Sequence, residues 1–267
     1  MRLRLILLGL GLIFGIGRHQ VRSLEDSAAR ELAGKLGGAL RQVSVRTEPT
    51  WILSGLWGDM RSVTIEAAKF STVGLPFFTE PERSTKGKVR ELKLVLDDFR
   101  LGTLQVEHLD AEIPDCRFDF DLAARKRTFR LSKSGLGSGR VRIQERPLEE
   151  FILKKFHEIK SVHVDILDGK VLVTGYGEFL VISTNFSVEA SLSSPDGSKI
   201  NLVEATVLFD KRPAGASGTE VLLKTLNPVV DLQQDLGLLD TIFVQGIELK
   251  NDRLEAWGKA KIPTKPR

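Results

Sequence analysis

The sequence predicts an α+β fold in which a long, strongly curved antiparallel sheet wraps around two amphipathic helices. Two segments carry apolar residues at the spacing of one helix face, and many others alternate apolar and polar residues as strands do. The order along the chain is helix, strands, helix, strands. Because alternation leaves each strand with one dry face and one wet face, the pattern favours an antiparallel sheet whose dry face covers the helices.

The first amphipathic helix is predicted over Ser23–Leu40. Ser23 is followed three residues later by Asp26, an arrangement that resembles a capping box at a helix start. Apolar side chains then recur at every fourth position, which places them on one face of a helix. These side chains are Leu24, Ala28, Leu32, Leu36 and Leu40.

The second amphipathic helix is predicted over Pro147–Ile159. Pro147 suits the first turn of a helix, where a missing N–H is tolerated, and Glu149 suits the positive end of the helix dipole. One apolar stripe runs along this helix, and Lys155 is the only charged residue that interrupts it. The apolar members of the stripe are Leu148, Phe151, Ile152, Phe156 and Ile159.

Alternating segments predict the strands, and Gly, Asn, Asp and Pro residues predict the turns between them. The clearest turns are Asp168-Gly169, Pro195–Gly197 and Asn251-Asp252, and a short helix is predicted over Glu220–Leu226. The predicted strands are Val43–Val45, Val63–Ala67, Leu92–Leu96, Leu104–Val106, Cys116–Leu122, Val162–Ile166, Val171–Val173, Phe179–Val181, Phe186–Leu192, Leu202–Phe209, Ile242–Val244, Ile247–Leu249 and Leu254–Ala256.

Residues 1–17 are predicted to be a signal peptide or an N-terminal anchor. Arg2 and Arg4 precede an uncharged, mostly apolar run over Leu5–Gly17, which is the pattern of a secretory signal. As a helix this run is about 20 Å long, shorter than the roughly 30 Å hydrocarbon core of a bilayer. We therefore expect export to the periplasm or to the outer side of the cytoplasmic membrane, with retention there if the segment is not cleaved.

The remainder is expected to form one domain over residues 18–263, followed by a polar tail over 264–267. The repeated order of helix and strands indicates a two-half pseudo-repeat, 24–145 and 146–263. The alternative is that any two halves which each begin with a helix share this order by chance.

The composition argues against an enzyme. Cys116 is the single cysteine, which excludes an internal disulfide and a cysteine-based zinc site, and the chain has four His and one Tyr. No phosphate-binding loop or nucleophile elbow occurs. We therefore predict no enzymatic activity, no metal and no cofactor. The net charge of +4 is too small to indicate a nucleic-acid partner.

Opposite charges are separated along the middle of the chain. Glu91–Asp121 holds nine acidic and three basic residues, a balance of −6, and Leu122–Arg146 holds eight basic and one acidic residue, a balance of +7. Either neighbouring antiparallel strands pair these charges, or the basic segment meets an anionic membrane surface. Two adjacent phenylalanines in an apparent loop either insert into the membrane interface or fold back onto the core. The predicted membrane contacts are Phe77, Phe78, Arg125, Lys126, Arg127 and Arg130.

Several motifs resemble the LmeA-like phospholipid-binding family of exported bacterial proteins. They are Trp-Ile-Leu-Ser-Gly-Leu-Trp-Gly at 51–58, Pro-Leu-Glu-Glu-Phe at 147–151, Leu-Asn-Pro-Val-Val-Asp-Leu at 226–232 and Leu-Glu-Ala-Trp-Gly at 254–258. The resemblance extends from about Ala28 to Ile262, and none of its motifs is a catalytic fingerprint. It implies a phospholipid-binding protein of the cell envelope whose architecture resembles the tubular lipid-binding folds.

The predicted function is therefore non-enzymatic phospholipid binding at the bacterial cell envelope, in lipid transfer or envelope maintenance. Acyl chains lie in an apolar groove in this hypothesis, and headgroups meet Lys and Arg at its rim. The alternative is a structural envelope protein with a solid core that binds a protein partner. A continuous cavity of at least about 300 Å³ favours the first, and packing at a density near ~0.74 favours the second. The candidate groove residues are Phe118, Phe120, Phe151, Phe156, Phe179, Phe186 and Phe209.

Overall fold

The computed structural model describes residues 22–23, 25–50, 58–74, 79–179, 182–238 and 241–262. Four helices lie within these residues, and none of the four is both long and apolar enough to cross a membrane. The predictions for segment 1–17, for Phe77 and Phe78, and for the tail 264–267 concern residues outside this description. The helices are α1 (25–35), α2 (Phe120–Lys126), α3 (Glu145–Lys155) and α4 (Ala216–Leu226).

Fifteen strands lie within the same residues, and most of them coincide with the alternating segments of the sequence. They are β1 (Gln42–Pro49), β2 (Asp59–Ala68), β3 (Ser71–Thr72), β4 (Gly87–Leu101), β5 (Leu104–Phe118), β6 (Leu131–Lys133), β7 (Gly137–Gln144), β8 (Ile159–Leu167), β9 (Lys170–Phe179), β10 (Ile182–Ser193), β11 (Lys199–Phe209), β12 (Arg212–Pro213), β13 (Val230–Asp231), β14 (Ile242–Lys250) and β15 (Arg253–Ala260).

The strands form two sheets and not the single sheet that their alternating pattern predicts. A nine-stranded sheet has the order β1-β2-β4-β5-β7-β15-β14, with β3 beside β4 and β6 beside β5. A six-stranded sheet has the order β12-β11-β10-β9-β8, with β13 beside β11. The six-stranded sheet is antiparallel throughout and curls into a half-barrel. The α+β class with mostly antiparallel strands is confirmed, but the single continuous sheet is wrong, because alternation does not reveal which strands pair.

One pairing between long strands departs from the antiparallel pattern. β2 and β4 run parallel, with Ile65 opposite Leu94, and 18 residues, 69–86, lie between them in the sequence. A parallel pair needs a connection of about a dozen residues or more, and this connection is longer than that. Alternation has the same period in both kinds of pair, so the sequence pattern does not give strand direction.

The longest elements are β4 and β5, which form a hairpin. Each strand has 15 residues, and each is therefore about 50 Å long at about 3.3 Å per residue. Gly102 makes the turn with a φ of +58°, a conformation that glycine adopts without strain. Near the other end of the hairpin, Ala28 of α1 shares a small cavity with Val63 and Phe129. Close to the turn, the hairpin faces α3 and the six-stranded sheet.

Helix α3 links the two sheets and protects the edge of the second. It follows β7 of the nine-stranded sheet directly and leads into β8, the outermost strand of the six-stranded sheet. Glu145 Oε1 accepts a hydrogen bond from the Ile166 amide at 2.6 Å, and Glu149 Oε1 accepts one from the Val164 amide at 3.0 Å. These carboxylates occupy backbone donors that an edge strand otherwise presents to other chains.

Helix α1 makes the same kind of contact with the edge of the nine-stranded sheet. Glu25 Oε1 accepts hydrogen bonds from the Thr47 amide at 2.6 Å and from the Thr47 hydroxyl at 2.9 Å.

The two halves of the chain share an order of elements. Each half has four longer strands, a helix and a short strand that pairs with the fourth: β1, β2, β4, β5, α2 and β6, and then β8 to β11, α4 and β13. The pseudo-repeat stays a prediction, because β2 and β4 are parallel and because β14 and β15 return to the nine-stranded sheet.

Both amphipathic helices end earlier than predicted. α1 stops before Gly37, which exchanges two backbone hydrogen bonds of 2.9 and 3.0 Å with Ser71, so the helix does not reach Leu40. α3 ends at Lys155 because the chain turns there into β8, which includes Ile159.

The end of the predicted strand Cys116–Leu122 is a helix instead. β5 stops at Phe118 and α2 begins at Phe120. Asp119 caps α2, because its Oδ1 accepts a hydrogen bond from the Leu122 amide at 3.0 Å.

Candidate functional site

A cavity of about 110 Å³ lies between the two sheets and α3, and all 25 side chains that line it are apolar. Of these, 21 come from β4, β5, β7, β14 and β15 of one sheet, from α3, and from β8 to β11 and β13 of the other, and four, Val229, Leu232, Leu236 and Leu238, come from the residues on either side of β13. The lining residues are Phe99, Leu101, Leu104, Val106, Leu109, Val141, Ile143, Leu148, Phe151, Ile152, Val164, Val171, Val173, Leu192, Ile200, Leu202, Val229, Val230, Leu232, Leu236, Leu238, Ile242, Val244, Leu254 and Ala256.

The size of this cavity limits what it holds without a change of shape. An apolar protein cavity of about 150 Å³ stays dry and binds a molecule of the size of benzene. Ligand pockets for larger molecules start at about 300 Å³, so the 110 Å³ of this cavity is below the volume expected of a lipid cavity. An acyl chain can enter only if part of the lining moves.

Residues 227–238, which we call the strap, form one continuous part of the lining between α4 and β14. The strap runs from the end of α4 through β13 toward β14 and supplies five of the 25 lining side chains. Asn227 anchors one end, because its side chain accepts from the Leu202 amide at 2.8 Å and donates to the Leu202 carbonyl at 3.0 Å. Near the other end, the Leu238 amide donates to the Leu232 carbonyl at 2.9 Å.

Lys155 fastens the strap to α3. Its Nζ donates to the carbonyl oxygens of Pro228 at 2.8 Å and Val229 at 3.1 Å, and it forms an ion pair with Asp235 Oδ2 at 2.6 Å. The Lys155 side chain is 20% exposed and that of Asp235 is 19% exposed. Nζ also lies 5.9 Å from the ring centroid of Phe151. The charge that interrupts the apolar stripe in the sequence is thus at the border between the cavity lining and solvent.

Phe151 is the one predicted groove residue that lines this cavity. Phe156 is buried nearby, with its ring centroid 5.3 Å from Lys155 Nζ. Phe179 and Phe186 form an edge-to-face pair with centroids 6.2 Å apart. Phe209 packs toward α4, against Gly218.

Phe118 and Phe120 lie in a different part of the core. The Phe118 ring centroid is 6.3 Å from that of Phe120 and 5.0 Å from that of Phe129. This cluster is at the end of β5 remote from the Gly102 turn, whereas the cavity is lined by Leu104 and Val106 close to that turn.

The predicted membrane-contact cations fall into two groups. Arg125 and Lys126 are exposed in the last turn of α2, and Arg127 is exposed directly after it. Arg130 is different: its side chain is 15% exposed, and its guanidinium donates to carboxylate oxygens of Glu31 and Glu80. Arg130 thereby ties α1 to the segment before β4, and among the described residues the membrane-contact prediction applies to the three exposed cations.

The acidic block, Glu91–Asp121, and the basic block, Leu122–Arg146, lie on neighbouring strands where β5 pairs with β7. Register places Asp110 of the acidic block opposite Arg140 of the basic block. Lys93 lies 3.2 Å from Glu112 across β4 and β5, and Arg140 pairs with Glu255 across β7 and β15. Lys93 and Glu112 both belong to the acidic block and Glu255 lies outside both blocks, so what brings the two blocks together is the register of β5 and β7. Exposed pairs of this kind contribute little to stability, because water and salt screen them.

The described residues offer neither a metal site nor a reactive thiol. No group of three or more His, Cys, Asp and Glu side chains there is arranged to hold a metal ion. Burial raises the pKa of the Cys116 thiol to about 12, so this thiol stays protonated and is a poor nucleophile at neutral pH. The feature that these residues do form is the apolar cavity with Lys155 at its border.

No family model matches the chain, and neither a curated protein nor a solved structure matches it. The resemblance to the LmeA-like family therefore stays a prediction from the motifs.

We expect a pH-dependent contribution of His163 to stability. Its Nδ1 lies 2.6 Å from Glu149 Oε1, and this hydrogen bond, followed by the charge of Asp165, raises the pKa of His163 above its usual 6.5. A group whose pKa is raised on folding stabilises the protein fully below its unfolded pKa, and the effect is lost as the pH rises through the folded pKa. His163→Gln should therefore lower the melting temperature more at pH 5.5 than at pH 8.5. Equal losses at both pH values contradict this assignment.

Proposed function

We propose that this protein binds lipid acyl chains in the cavity between its two sheets, without catalysing a reaction. The observation that carries the proposal is the lining, in which all 25 side chains are apolar. A site for a polar metabolite normally includes a few polar groups that orient the ligand. A lining without them selects for a hydrocarbon chain of variable length.

The energy of such binding comes from removing methylene groups from water. Each buried methylene contributes about 0.8 kcal/mol, so several are needed to offset the cost of displacing part of the strap. The strap is held at Asn227 and Lys155 and also by the pairing of β13 with β11, where the Val229 amide donates to the Ile200 carbonyl at 2.8 Å and the Leu232 amide to the Ser198 carbonyl at 3.0 Å. In the proposal, the turn over residues 233–238, which follows β13, therefore moves, and β13 and the two sheets stay in place.

The proposed setting is the cell envelope of a bacterium, after export directed by residues 1–17. The partners are phospholipid and an anionic membrane surface. Three exposed cations, Arg125, Lys126 and Arg127, are available at the end of α2 for that surface, where each contributes about 1 kcal/mol near anionic lipid. The apolar motifs that resemble the LmeA-like family support the same setting.

A second candidate function is a structural envelope protein that binds a protein partner. The small cavity favours it, because 110 Å³ is compatible with a core that stays closed. The two candidates differ in one respect that can be measured: only the first requires the cavity to accept a chain.

Native mass spectrometry of protein purified from a lipid-containing host tests the proposal. We expect co-purified phospholipid with the wild-type chain. Ala256 is buried in the lining, and Ala256→Leu adds three carbon atoms to it, which fill the space of about three methylenes and should reduce bound lipid about fiftyfold. The matched control is Ala28→Leu, at a buried alanine beside the cavity under α1, which should keep its lipid.

Three results are informative. Lipid on the wild type and on Ala28→Leu, but not on Ala256→Leu, supports the proposal. A wild-type protein that carries no lipid and takes up none from vesicles supports the structural function instead. Equal loss from both variants indicates that overpacking a core, and not filling this cavity, removes the lipid.

A further inference from the structure

We infer that Lys155 binds the anionic headgroup of the lipid, and that Asp235 holds this position while the strap is closed. The inference rests on the proposed function and adds to it the class of ligand: an amphiphile with one chain-bearing end and a carboxylate or phosphate at the other. It also assigns the turn of the strap that follows β13, residues 233–238, as the part that opens.

The bonds of Lys155 show which partner can be exchanged. An ammonium group has three N–H donors, and those of Lys155 are used by Pro228 O, Val229 O and Asp235 Oδ2. The two carbonyl oxygens belong to the strap backbone and are neutral. The Asp235 carboxylate is the anionic ligand, and another carboxylate or a phosphate oxygen makes the same charge-assisted bond.

The position of Lys155 suits a headgroup whose tail lies in the cavity. Its Nζ is 5.9 Å from the ring of Phe151, a lining residue, and the side chain is still 20% exposed. A lysine that lies along an apolar surface and keeps its charged end near water is a common arrangement. An anion bound to Nζ can therefore stay hydrated on one side while the attached chain enters beside Phe151.

Exchange at Lys155 also loosens the strap. Asp235 Oδ2 accepts a second hydrogen bond, of 2.7 Å, from the Asp231 amide, and the Asp231 carboxylate in turn accepts from the amides of Gln233 and Gln234. Moving Asp235 away from Lys155 removes the ionic contact between α3 and this turn. Binding of an anionic headgroup and opening of the strap are then coupled, and a neutral headgroup lacks this effect.

The test compares ligands that have the same chain and differ in charge. Laurate is compared with 1-dodecanol, and lysophosphatidic acid with the matching monoacylglycerol, by calorimetric titration into the full chain. We expect the wild type to prefer the anionic member of each pair by about tenfold. Lys155→Met should reduce that ratio to about one, and Asp235→Asn, which removes the competing anion, should increase it.

The controls separate charge at this position from other effects. Lys155→Arg keeps the positive charge and should keep the preference, and Lys154→Met, at the exposed neighbouring position, should leave the ratio unchanged. If Lys155→Met does not fold, Asp235→Asn and Lys155→Arg still decide the question. Inorganic phosphate and acetate alone should bind too weakly to measure, because they lack the chain.

Each remaining outcome contradicts either the headgroup assignment at Lys155 or the proposed binding of acyl chains, but not both. Chains that bind with a ratio unaffected by Lys155→Met and Asp235→Asn overturn the headgroup assignment and leave the proposed function intact. A wild type that binds no chain, charged or neutral, overturns the proposed function itself. Inorganic phosphate that binds as tightly as lysophosphatidic acid, and through Lys155, indicates a site for free anions and overturns the lipid headgroup.

Discussion

Replacing Phe118 by alanine is expected to destabilise the protein by about 3–5 kcal/mol, the range for removing a buried aromatic ring. Phe118 is 0% exposed, and its ring packs against those of Phe120 and Phe129. A Cβ added at Gly87 would lie 2.4 Å from this ring, so the strand backbone is pressed against it. The surrounding residues therefore have little room to collapse into the space that the variant leaves.

The same variant should leave the amount of lipid per folded molecule unchanged. Phe118 is outside the lining of the cavity, whereas Phe151 belongs to it. Phe151→Ala is the matched comparison, since it also removes a buried ring but enlarges the cavity and should increase uptake of a chain. Urea unfolding measures the first effect and native mass spectrometry the second. Phe118→Ala protein that is fully stable, or that is folded and has lost its lipid, contradicts this assignment.

Turns and strands could be predicted from the sequence because they depend on residues that are close along the chain. Asn251 and Asp252 have φ values of +53° and +60°, as the tight turns of two-residue hairpins require. They join β14 and β15 with Lys250 opposite Arg253. The alternation of Leu254 and Ala256 with polar residues likewise places both on a buried face.

Position along a strand could not be predicted in the same way. Val106 and Phe118 are both buried residues of β5. Val106 lines the cavity, and Phe118 packs beside Phe129 at the far end. A strand about 50 Å long serves two parts of the core, and a period of two gives the face of a residue but not its distance along the strand. For this reason the sequence pattern does not separate Phe151, which lines the cavity, from the other six candidate groove phenylalanines.

The two partly buried cations, Lys155 and Arg130, show most clearly what the sequence pattern does not reveal. Lys155 is visible in the sequence as the charge within an apolar stripe, but its partner Asp235 is 80 residues away. Arg130 belongs by sequence to the same basic segment as Arg125, and its partners Glu31 and Glu80 are 99 and 50 residues away. Which cation is paired depends on tertiary contacts, and no local spacing indicates them.

The different burial of these basic residues leads to a second prediction with a large effect. Arg130→Met is expected to destabilise the protein by about 2–3 kcal/mol, because it removes charge-assisted hydrogen bonds to two carboxylates and leaves those carboxylates close together. The loss should be smaller than the roughly 3–5 kcal/mol of a fully buried pair. One reason is that Glu80 is 40% exposed and keeps its ion pair with Arg83.

Arg127→Met is the matched control, because Arg127 is exposed directly after α2. Its stability in urea should match that of the wild type, and its sedimentation with anionic vesicles should decrease. Arg130→Met should show the opposite pattern under conditions where it is folded: lower stability and unchanged sedimentation. If Arg130→Met is as stable as the wild type and sediments less, Arg130 contacts the membrane after all, and its contacts with Glu31 and Glu80 contribute little to folding.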